Sequence, residues 1–490
     1  MKFIHRWFSL VLGIFLILWC VSGIVLNHRN LVAEYEIPRK WLGQNYEYQN
    51  WNLASIRSGL PWDNEKWILY GNVGIWLVDS GFNKYEPFMQ GIAPGLDNRK
   101  VFKVLKTEKG NLYAGTQSGL YYFDAQEKRW QKMPLDLHDE RVIDLTYKDH
   151  MLFALTRSEL FYTADDPKKG KLLLQEIPKS SNDDGKVGLF RTLWLLHSGE
   201  IFGASGKLAV DFLALFMIFL CLTGYVYYFF PGWISKRKKK LLKFKALLAI
   251  SRFSVRWHKK IGIAFGVFLL LVTATGMFLR PPLLIPIASQ RVKKIPFSIL
   301  ENTNPWHDSL RSIHWNQDRG YWLIGTSRGF FKADPQFTYK LEQLEIQPPV
   351  SIMGINVMEY LGKGTYLIGS FTGIFIWHLE GNFIQDYISK ERYRSQNALV
   401  SPIGEYMISG MIPWKNNHLL LDYRKGLLNA NIQMPSVLSN QGMPLWSFAL
   451  EVHTGRIFQC FLGNFYILII PLLGLLTLGI LTSGLILYFK

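Results

Sequence analysis

Two histidines stand just ahead of different hydrophobic segments in nearly identical surroundings. His197 lies in LHSGEIFG, at 196–203, and His453 lies in VHTGRIFQ, at 452–459. A neutral imidazole side chain can ligate iron, in haem as in other metal centres. A histidine repeated in this way at the start of two hydrophobic segments therefore predicts a pair of ligands.

The other two hydrophobic segments begin with a second pair of histidines. Each is followed by two glycines at identical intervals, namely His5 by Gly13 and Gly23, and His258 by Gly266 and Gly276. The equal spacing indicates an internal duplication whose unit is a hydrophobic segment, a long loop and a second hydrophobic segment. Repeats of this kind pack around an axis along the membrane normal, so the first and third segments are expected to face each other, as are the second and fourth.

Each hydrophobic segment also carries a serine or threonine followed by glycine. The pairs are Thr223–Gly224 and Ser483–Gly484, expected near the cytoplasmic ends, and Ser22–Gly23 and Thr275–Gly276, expected near the outer ends. Facing helices that each offer a histidine can hold a haem iron in a bundle core, and glycine leaves space for the porphyrin.

The spacing along the first segment separates the two sets of candidate residues. At a rise of about 1.5 Å per residue, His5 and Gly23 lie ~27 Å apart, so the sequence predicts two haem sites near opposite membrane faces. The haem irons are predicted to be held by His5 with His258 and by His197 with His453. For any single position, an interfacial histidine or ordinary packing of small residues is the alternative, and the paired repetition favours the haems.

Two further polar residues near the outer ends have no counterpart in the repeat. His28 is matched by Pro281 in the third segment, and is predicted either as an outer ligand in place of His197 or His453, or as a neighbour of a haem propionate. Asp211 opens the second segment, where a lone acid is either functional or simply the ion-pair partner of Lys207, four residues earlier.

Basic residues beside the histidines are candidates for pairing with haem propionates. The predicted residues are Arg6 on the inner side and Arg29 and Arg280 on the outer side, and the further candidates are Lys259 inside and Lys207 and Arg456 outside. Each arginine can equally be an interfacial residue whose head group extends toward water.

The four hydrophobic segments, at 7–27, 212–230, 261–279 and 457–489, are free of charged residues and long enough to cross a membrane. The last one exceeds this length and contains Pro471, so its first third is expected at the surface or in a separate short helix. The first one resembles a signal peptide, but its apolar stretch is too long and no cleavage site follows, so it is predicted to be a retained anchor.

The net charge of +18 is concentrated between the second and third segments. Positions 236 to 260 hold eleven Lys or Arg, and no Asp or Glu occurs from 212 to 300. A short basic loop of this kind lies in the cytoplasm, which places both termini inside and the two long loops outside. The charge therefore indicates orientation and contact with anionic lipid, and not nucleic-acid binding. The three cysteines form no CxxC or CxxCH motif, which disfavours thiol redox chemistry and covalently attached haem.

The two outer loops carry a finer repeat of six predicted β-hairpins. They are WILYGNVGIWLVDS (67–80), NLYAGTQSGLYYFDA (111–125), MLFALTRSELFYTAD (151–165), YWLIGTSRGFFKAD (321–334), TYLIGSFTGIFIWHL (365–379) and HLLLDYRKGLLNANI (418–432). Most intervals between them are about 40 to 53 residues, which is typical of β-propeller blades. Three blades cannot close a ring, so one propeller-like domain built from both outer loops is predicted, and two separate small β domains are the alternative.

The predicted fold is therefore a membrane α + β protein with four transmembrane helices in two tandem repeats and a periplasmic propeller-like domain. The predicted boundaries are 1–29 for the first transmembrane helix, 30–195 for the first half-propeller, 196–232 for the second helix, 233–257 for the basic cytoplasmic loop, 258–280 for the third helix, 281–450 for the second half-propeller and 451–490 for the fourth helix.

The membrane segments resemble a known family. HRWFSLVLGIFLILWCVSG, LHSGEIFGASGKLAVDFLALFMIFLCLTG and RWHKKIGIAFGVF resemble the PepSY-associated transmembrane family, over all four spans and about a third of the chain. The resemblance implies an inner-membrane reductase linked to ferric-siderophore uptake, in which two b-type haems carry electrons to the periplasm. It also implies that His5, His197, His258 and His453 match the family's histidine motifs. The chain departs from the family in its outer loops, which show propeller-like repeats in place of PepSY domains, and in the fourth span, which lacks GxxG after HTGRIF.

The expected function is a b-type di-haem reductase of the bacterial inner membrane, used in iron uptake. Electrons from quinol or a cytoplasmic donor are expected to reach a ferric-siderophore or a periplasmic protein partner through the inner and then the outer haem. The loops show no GxGxxG fingerprint, which disfavours a nicotinamide or flavin site on this chain. The alternative is a membrane-anchored sensor or docking protein, whose propeller binds a ligand or partner without redox activity.

Overall fold

The chain forms two compact units, each assembled from separate stretches of sequence. The computed structural model describes residues 2–240, 243–302, 304–351, 354–393, 404–414 and 417–489. The helical unit comprises Met1–Val32, Asp184–Asn302 and Leu445–Lys490, and the β unit comprises Ala33–Asp183 and Thr303–Pro444. Both outer loops therefore contribute to the same β unit.

Four helices among the described residues are long and apolar enough to cross a membrane, which confirms the four predicted spans. Span 1 is Lys2–Asn27, span 2 is Gly203–Lys239, span 3 is Lys245–Met277 and span 4 is Ile469–Phe489. Their outward side chains are apolar and uncovered, since Val11 and Val267 are 65% and 66% exposed. Such exposure is expected of side chains whose solvent is lipid.

The spans pack in the order 1, 2, 3, 4 and back to 1, so that spans 1 and 3 lie opposite each other. Glycines allow two of these helix pairs to approach closely. A Cβ atom added to Gly13 of span 1 would lie 2.6 Å from the hydroxyl of Tyr225, and one added to Gly266 of span 3 would lie 2.8 Å from Leu485. These first glycines of the repeat are therefore packing residues between neighbouring spans.

Two short helices, Leu189–Ser198 and Leu445–His453, precede spans 2 and 4. Each ends at a glycine in the left-handed conformation, with φ of 77° at Gly199 and 70° at Gly455. The 3₁₀ turn Glu200–Phe202 follows the first, and the short elements Arg456–Phe458, Gln459–Leu462 and Gly463–Leu468 follow the second. The first third of the fourth hydrophobic segment thus forms separate short helices, as expected from its length.

The predicted basic loop 233–257 is largely helical. Span 2 continues to Lys239 and span 3 begins at Lys245, so the connection is much shorter than expected. Lys and Arg are good helix formers, and four basic residues in the last turn of span 2 also suit the negative end of the helix dipole. The two helices therefore extend beyond their apolar segments.

The helical unit also contains several small elements. These are the helix Arg29–Val32, the 3₁₀ turns Ile285–Ile287 and Ile299–Glu301, and the antiparallel pair Val187–Gly188 with Arg291–Val292.

The described part of the β unit contains six antiparallel sheets of three to five strands, with the strands of each sheet hydrogen-bonded in chain order. Sheet 1 is Ser58–Pro61, Lys66–Gly71, Gly74–Asp79 and Tyr85–Pro87; sheet 2 is Val101–Lys106, Leu112–Thr116, Gly119–Asp124 and Arg129–Met133; sheet 3 is Asp144–Lys148, Met151–Leu155, Leu160–Ala164 and Leu173–Gln175; sheet 4 is Leu310–Asn316, Tyr321–Thr326, Gly329–Ala333 and Glu342–Gln343; sheet 5 is Val357–Gly362, Thr365–Ser370, Gly373–His378, Phe383–Asp386 and Arg392–Tyr393; sheet 6 is Ile408–Trp414, Asn417–Asp422 and Gly426–Leu427. The six predicted hairpins are the second and third strands of these sheets.

The cores of the β unit lie between consecutive sheets. Sheets 1 and 2 share a cluster, as do 2 and 3, 3 and 4, 4 and 5, and 5 and 6. A further cluster joins sheet 6 to sheet 1, where Ile412 and Leu421 pack with Leu69 and Trp76. A short strand pair, Glu36–Ile37 with Met443–Pro444, holds the two ends of the unit together.

Candidate functional site

His5 and His258, the pair that the sequence predicts on the inner side, meet between opposite spans of the helical unit. His5 lies in the first turns of span 1, and His258 lies in span 3. Their ring centroids are 6.2 Å apart, and the ring planes are nearly perpendicular, at 88°. The structure therefore brings together the two histidines that the repeat relates to each other.

The outer histidines form a second pair of similar size. His197 lies at the end of the helix Leu189–Ser198, and His453 ends the helix Leu445–His453. Their ring centroids are 5.8 Å apart, with an angle of 52° between the planes. The helix that carries His197 ends at Gly199, before span 2 begins. His197 therefore does not lie on the helix axis of span 2.

Hydrogen bonds fix the same nitrogen of all four rings. The Nδ1 atoms of His5, His197 and His453 lie 3.1, 2.9 and 3.0 Å from the backbone oxygens of Ile480, Val272 and Trp19, respectively. A carbonyl oxygen accepts hydrogen bonds and cannot donate them, so each Nδ1 carries the proton. Nε2 is then the atom with the free lone pair, and it is available as a metal ligand.

His258 reaches the same state through a hydroxyl. Its Nδ1 atom lies 2.9 Å from the Thr223 hydroxyl oxygen, whose own proton is directed to the backbone oxygen of Phe219 at 2.8 Å. The hydroxyl therefore accepts from Nδ1. Ser483 and Ser22 supply equivalent contacts of 3.1 Å to His5 and His453. Three of the four predicted Ser/Thr–Gly pairs thus use the hydroxyl to orient an imidazole.

Each histidine ring also packs against the glycine of one such pair on a neighbouring helix. A Cβ atom added to the glycine would lie at the following distances from the ring's Cε1 atom: 2.6 Å for Gly276 and His197, 3.0 Å for Gly484 and His5, 3.2 Å for Gly23 and His453, and 3.8 Å for Gly224 and His258. The sequence analysis assigned this space to a porphyrin. In the structure the glycines make room for the imidazole rings themselves.

The ring separations suit one metal ion between each pair. With a metal–nitrogen bond of about 2 Å and a ring radius of about 1.2 Å, imidazoles on opposite sides of one ion have centroids about 6.4 Å apart. The observed separations of 6.2 and 5.8 Å are close to this value. Within the described residues, no cluster of three or more His, Cys, Asp or Glu side chains has the geometry of a metal site. Two imidazoles per site would suit a haem, because its porphyrin would supply the remaining ligands of the iron.

An apolar layer lies between the two histidine pairs. Met217, Leu220 and Leu269 are buried there, with Leu16 and Cys20 packed against them. These residues lie, along spans 1, 2 and 3, between the inner and outer sites. The layer consists of apolar side chains and cysteine thiols.

His28 is engaged differently from the four paired histidines. Its Nε2 atom lies 2.7 Å from a carboxylate oxygen of Asp211, and the other carboxylate oxygen accepts a 2.8 Å hydrogen bond from Asn27. The expected pairing of Asp211 with Lys207 is wrong, since Lys207 contacts Glu200 at 3.4 Å. Glu200 lies in the 3₁₀ turn that follows Gly199, close to Lys207 in the first turns of span 2.

The three predicted propionate-binding arginines lie beside aromatic residues. The guanidinium groups of Arg6 and Arg29 lie 5.1 Å and 4.0 Å from the ring centroids of Tyr228 and Trp446. Arg280 lies near Tyr466, Arg456 and Glu451. Arg456 in turn forms a 2.5 Å ion pair with Glu451.

The chain matches one protein family over almost its full length. Residues 3–490 match the family described as the PepSY-associated TM region. No curated protein matches the chain.

Several solved structures are similar to the chain at low sequence identity. The extracellular domain of the hybrid two-component system BT4673 from B. thetaiotaomicron is 13% identical, with a TM-score of 0.37, over 77% of this chain and 33% of that one. PorZ, a surface component of the type-IX secretion system of Porphyromonas gingivalis, is 10% identical, with a TM-score of 0.34, over 76% of this chain and 38% of that one. The chain thus spans about a third of the length of these proteins.

Four candidate membrane helices, the histidine and glycine motifs within them, and a family match that extends from residue 3 to residue 490 lead to one conclusion. The chain is a membrane protein that belongs to the PepSY-associated transmembrane family.

Proposed function

We propose that this protein carries electrons across the membrane through two b-type haems, one held by His5 and His258 and one by His197 and His453. The observation that carries the proposal is the repeated geometry of the two pairs. Centroid separations of 6.2 and 5.8 Å occur together with Nδ1 atoms that are already hydrogen-bonded, so that Nε2 is the free ligand atom in every ring.

The protein's own residues have three tasks in this proposal. A bound haem supplies one-electron transfer between ferric and ferrous iron. Backbone oxygens and the hydroxyls of Thr223, Ser483 and Ser22 hold the imidazoles at a fixed tautomer and orientation, as second-shell groups do in other metal sites. The apolar layer around Met217 and Leu220 separates the two sites and excludes water, so that charge crosses the bundle as electrons and not as ions.

The charge distribution supports a direction for this transfer. The basic residues from 236 to 260 favour the cytoplasmic side, and in this orientation the pair His5/His258 would lie inside and the pair His197/His453 outside. A quinol or a cytoplasmic protein then donates to the inner site, and a periplasmic acceptor is reduced at the outer site. This orientation corresponds to an inner membrane with both termini in the cytoplasm.

We further propose that the β unit is a six-bladed propeller that selects the acceptor, with ferric-siderophore iron as the substrate implied by the family. Support comes from the cluster that joins sheet 6 to sheet 1, because packing of each sheet on the next leads back to the first. Ring closure of this kind protects the faces and edges of small sheets from other chains.

Absorption spectra test the haem proposal directly. The detergent-purified protein is recorded after air oxidation and after dithionite reduction, and the pyridine haemochrome gives the haem stoichiometry. We expect reduced b-type bands and about two haems per chain, from the two ligand pairs. A colourless protein from haem-replete cells would contradict the proposal and favour a docking or sensor function for the β unit.

A further inference from the structure

The first strands of all six sheets of the β unit line one cavity. Its volume is about 70 Å³, and the lining includes Ser58, Lys103, Asp144, Arg311, Glu359 and Met411, one residue from each sheet in chain order. One water molecule needs about 10–15 Å³ on this measure, so the cavity has room for roughly five water molecules. A small molecule of similar size fits the same space.

Five side chains with a formal charge line the cavity. Arg57, Lys103 and Arg311 are basic, and Asp144 and Glu359 are acidic, which leaves one excess positive charge. Asp144 is already committed to the fold. Its two carboxylate oxygens each accept a 2.9 Å hydrogen bond, from the backbone N–H groups of Leu145 and Ile313, and so it fastens sheet 3 to sheet 4.

Arg57 is held in place by its backbone and retains an unused donor. Its N–H donates to Tyr70 at 2.7 Å, and its backbone oxygen accepts from Met411 at 2.8 Å, so its main chain bridges sheets 1 and 6. In the side chain, one Nη atom makes a long contact of 3.4 Å with Asn356. Nε is buried without a hydrogen-bond partner among the described residues. An unpaired buried donor is destabilising, and a ligand that accepts from it offsets this.

Lys103 keeps the cavity positively charged over the physiological range. Burial alone lowers the pKa of this lysine, but Tyr70, Asp144 and Glu359 more than offset it, so the pKa lies above its ordinary value. Burial, with a contribution from Lys103, lowers the pKa of nearby His314 to about 4, so this histidine is neutral. The excess charge therefore comes from the two arginines and the lysine.

We propose that this cavity binds a small organic monocarboxylate, whose carboxylate is held by Arg57 and Lys103 and whose short apolar part lies against Phe102 and Met411. One negative charge neutralises the excess positive charge, whereas a phosphate would add charge beside Glu359. The planar guanidinium matches a planar carboxylate. Phe102 and Met411 line the cavity beside the charged groups, so an aliphatic group has apolar side chains to contact there.

Thermal unfolding of the full-length, detergent-purified protein tests the proposal without any dependence on haem. Tryptophan fluorescence is followed in sodium propionate, with sodium chloride at equal ionic strength and 1-propanol as controls. We expect Tm to rise and saturate with propionate only, because a ligand that binds the folded state stabilises it by mass action. Lys103→Gln is expected to weaken the apparent affinity about tenfold or more, since a hydrogen bond to a charged group is lost. Lys340→Gln, at an exposed lysine of the same unit, is expected to leave it unchanged.

Three results would overturn the proposal. They are no rise in Tm beyond that in sodium chloride, an equal rise with 1-propanol, and an equal or larger rise with phosphate. If Lys103→Gln does not fold, the titrations of the wild-type protein still test the proposal. A rise in Tm that saturates with propionate, but does not occur with 1-propanol or phosphate, supports the site. The lack of a saturating rise with propionate excludes it. Arg57→Lys then serves as the second variant, with the positive charge kept and the planar donor group removed.

Discussion

The inner and outer histidine pairs make the same contacts from different backbones. His5 and His258 lie within continuous spans, so the membrane helices themselves position the rings. His197 and His453 lie on separate short helices that end at Gly199 and Gly455 before the next span begins. In both pairs an imidazole packs on a glycine and its Nδ1 atom is bonded to an oxygen. The two sites thus share the arrangement of side chains but differ in the backbone elements that position them.

Removal of a single histidine is expected to have the largest effect and to separate the two sites. In the proposed function, His453→Ala would remove one of the two histidines that would hold the outer haem, and His258→Ala would do the same for the inner haem. Each variant is expected to retain about one haem per chain in the pyridine haemochrome assay. His150→Ala, at a 69% exposed side chain of the β unit, is the control and is expected to keep both haems. Loss of both haems from either ligand variant would show that the sites are not independent.

Glycine-to-alanine variants allow the four contacts between a glycine and an imidazole ring to be compared by their effect on haem content. Gly276→Ala would place a Cβ atom 2.6 Å from the ring of His197, which displaces the ring, whereas Gly224→Ala would place it 3.8 Å from His258, an ordinary contact. We expect Gly276→Ala to lose most of the outer haem and Gly224→Ala to keep both haems. Gly484→Ala and Gly23→Ala, at 3.0 and 3.2 Å, are expected to lie between these two.

Haem content and the reduced absorption spectrum give the order of the four variants. A large loss from Gly224→Ala together with none from Gly276→Ala would contradict the assignment of these glycines to imidazole contacts. It would favour the earlier interpretation, in which the glycines leave space for the porphyrin.

The repeat in the sequence was sufficient to predict which residues meet in the membrane. The four histidines could be paired because the spacing after His5 equals that after His258, and because the sequences around His197 and His453 are nearly identical. The same repeat predicted a pair of glycines near each pair of histidines. Spacing carries this information because a continuous helix converts residue number into depth at a fixed rise. The six hairpins were predictable for a similar reason, since alternation and tight turns are local properties of the chain.

The orientation of the rings could not be predicted from the sequence. The acceptors at Ile480, Val272 and Trp19 are backbone oxygens, which every residue possesses, so no residue type marks them. The serine or threonine before each glycine could be recognised in the sequence. Whether its hydroxyl group contacts an imidazole depends on which helix packs against it, and the sequence does not show this. The pairing of Asp211 was misassigned because sequence proximity favoured Lys207, whereas the true partner, His28, comes from the end of span 1.

The helix ends at Gly199 and Gly455 lead to a prediction that applies to the outer site alone. A residue other than glycine in the left-handed conformation costs about 1–2 kcal/mol. Gly199→Ala adds a severe clash, since its Cβ atom would lie 2.1 Å from the backbone oxygen of Gly206, whereas the nearest atom to an added Cβ at Gly455 lies 3.6 Å away. We expect Gly199→Ala to lower Tm and outer-haem content strongly, and Gly455→Ala to lower Tm by the conformational cost only.

Gly455→Asn is the matched control, because asparagine tolerates the left-handed conformation better than alanine. It is expected to restore most of the Tm lost in Gly455→Ala. Any loss of the inner haem from these variants would contradict the view that the helix ends at Gly199 and Gly455 affect only the outer pair of histidines.

His28 gives the smallest expected effect and the sharpest test of which histidines belong to the outer pair. Its Nε2 atom, the one that would ligate iron, lies 2.7 Å from the carboxylate of Asp211, while His197 and His453 contact each other. His28→Ala is therefore expected to keep about two haems per chain and an unchanged reduced spectrum. Stability should fall by about 1 kcal/mol, since a hydrogen bond to a buried acid is lost at a ring that is 34% exposed. Asp211→Asn, which can keep its bond to Asn27, is expected to behave alike. A fall to one haem in His28→Ala, with two retained in His197→Ala or His453→Ala, would instead assign His28 as an outer ligand.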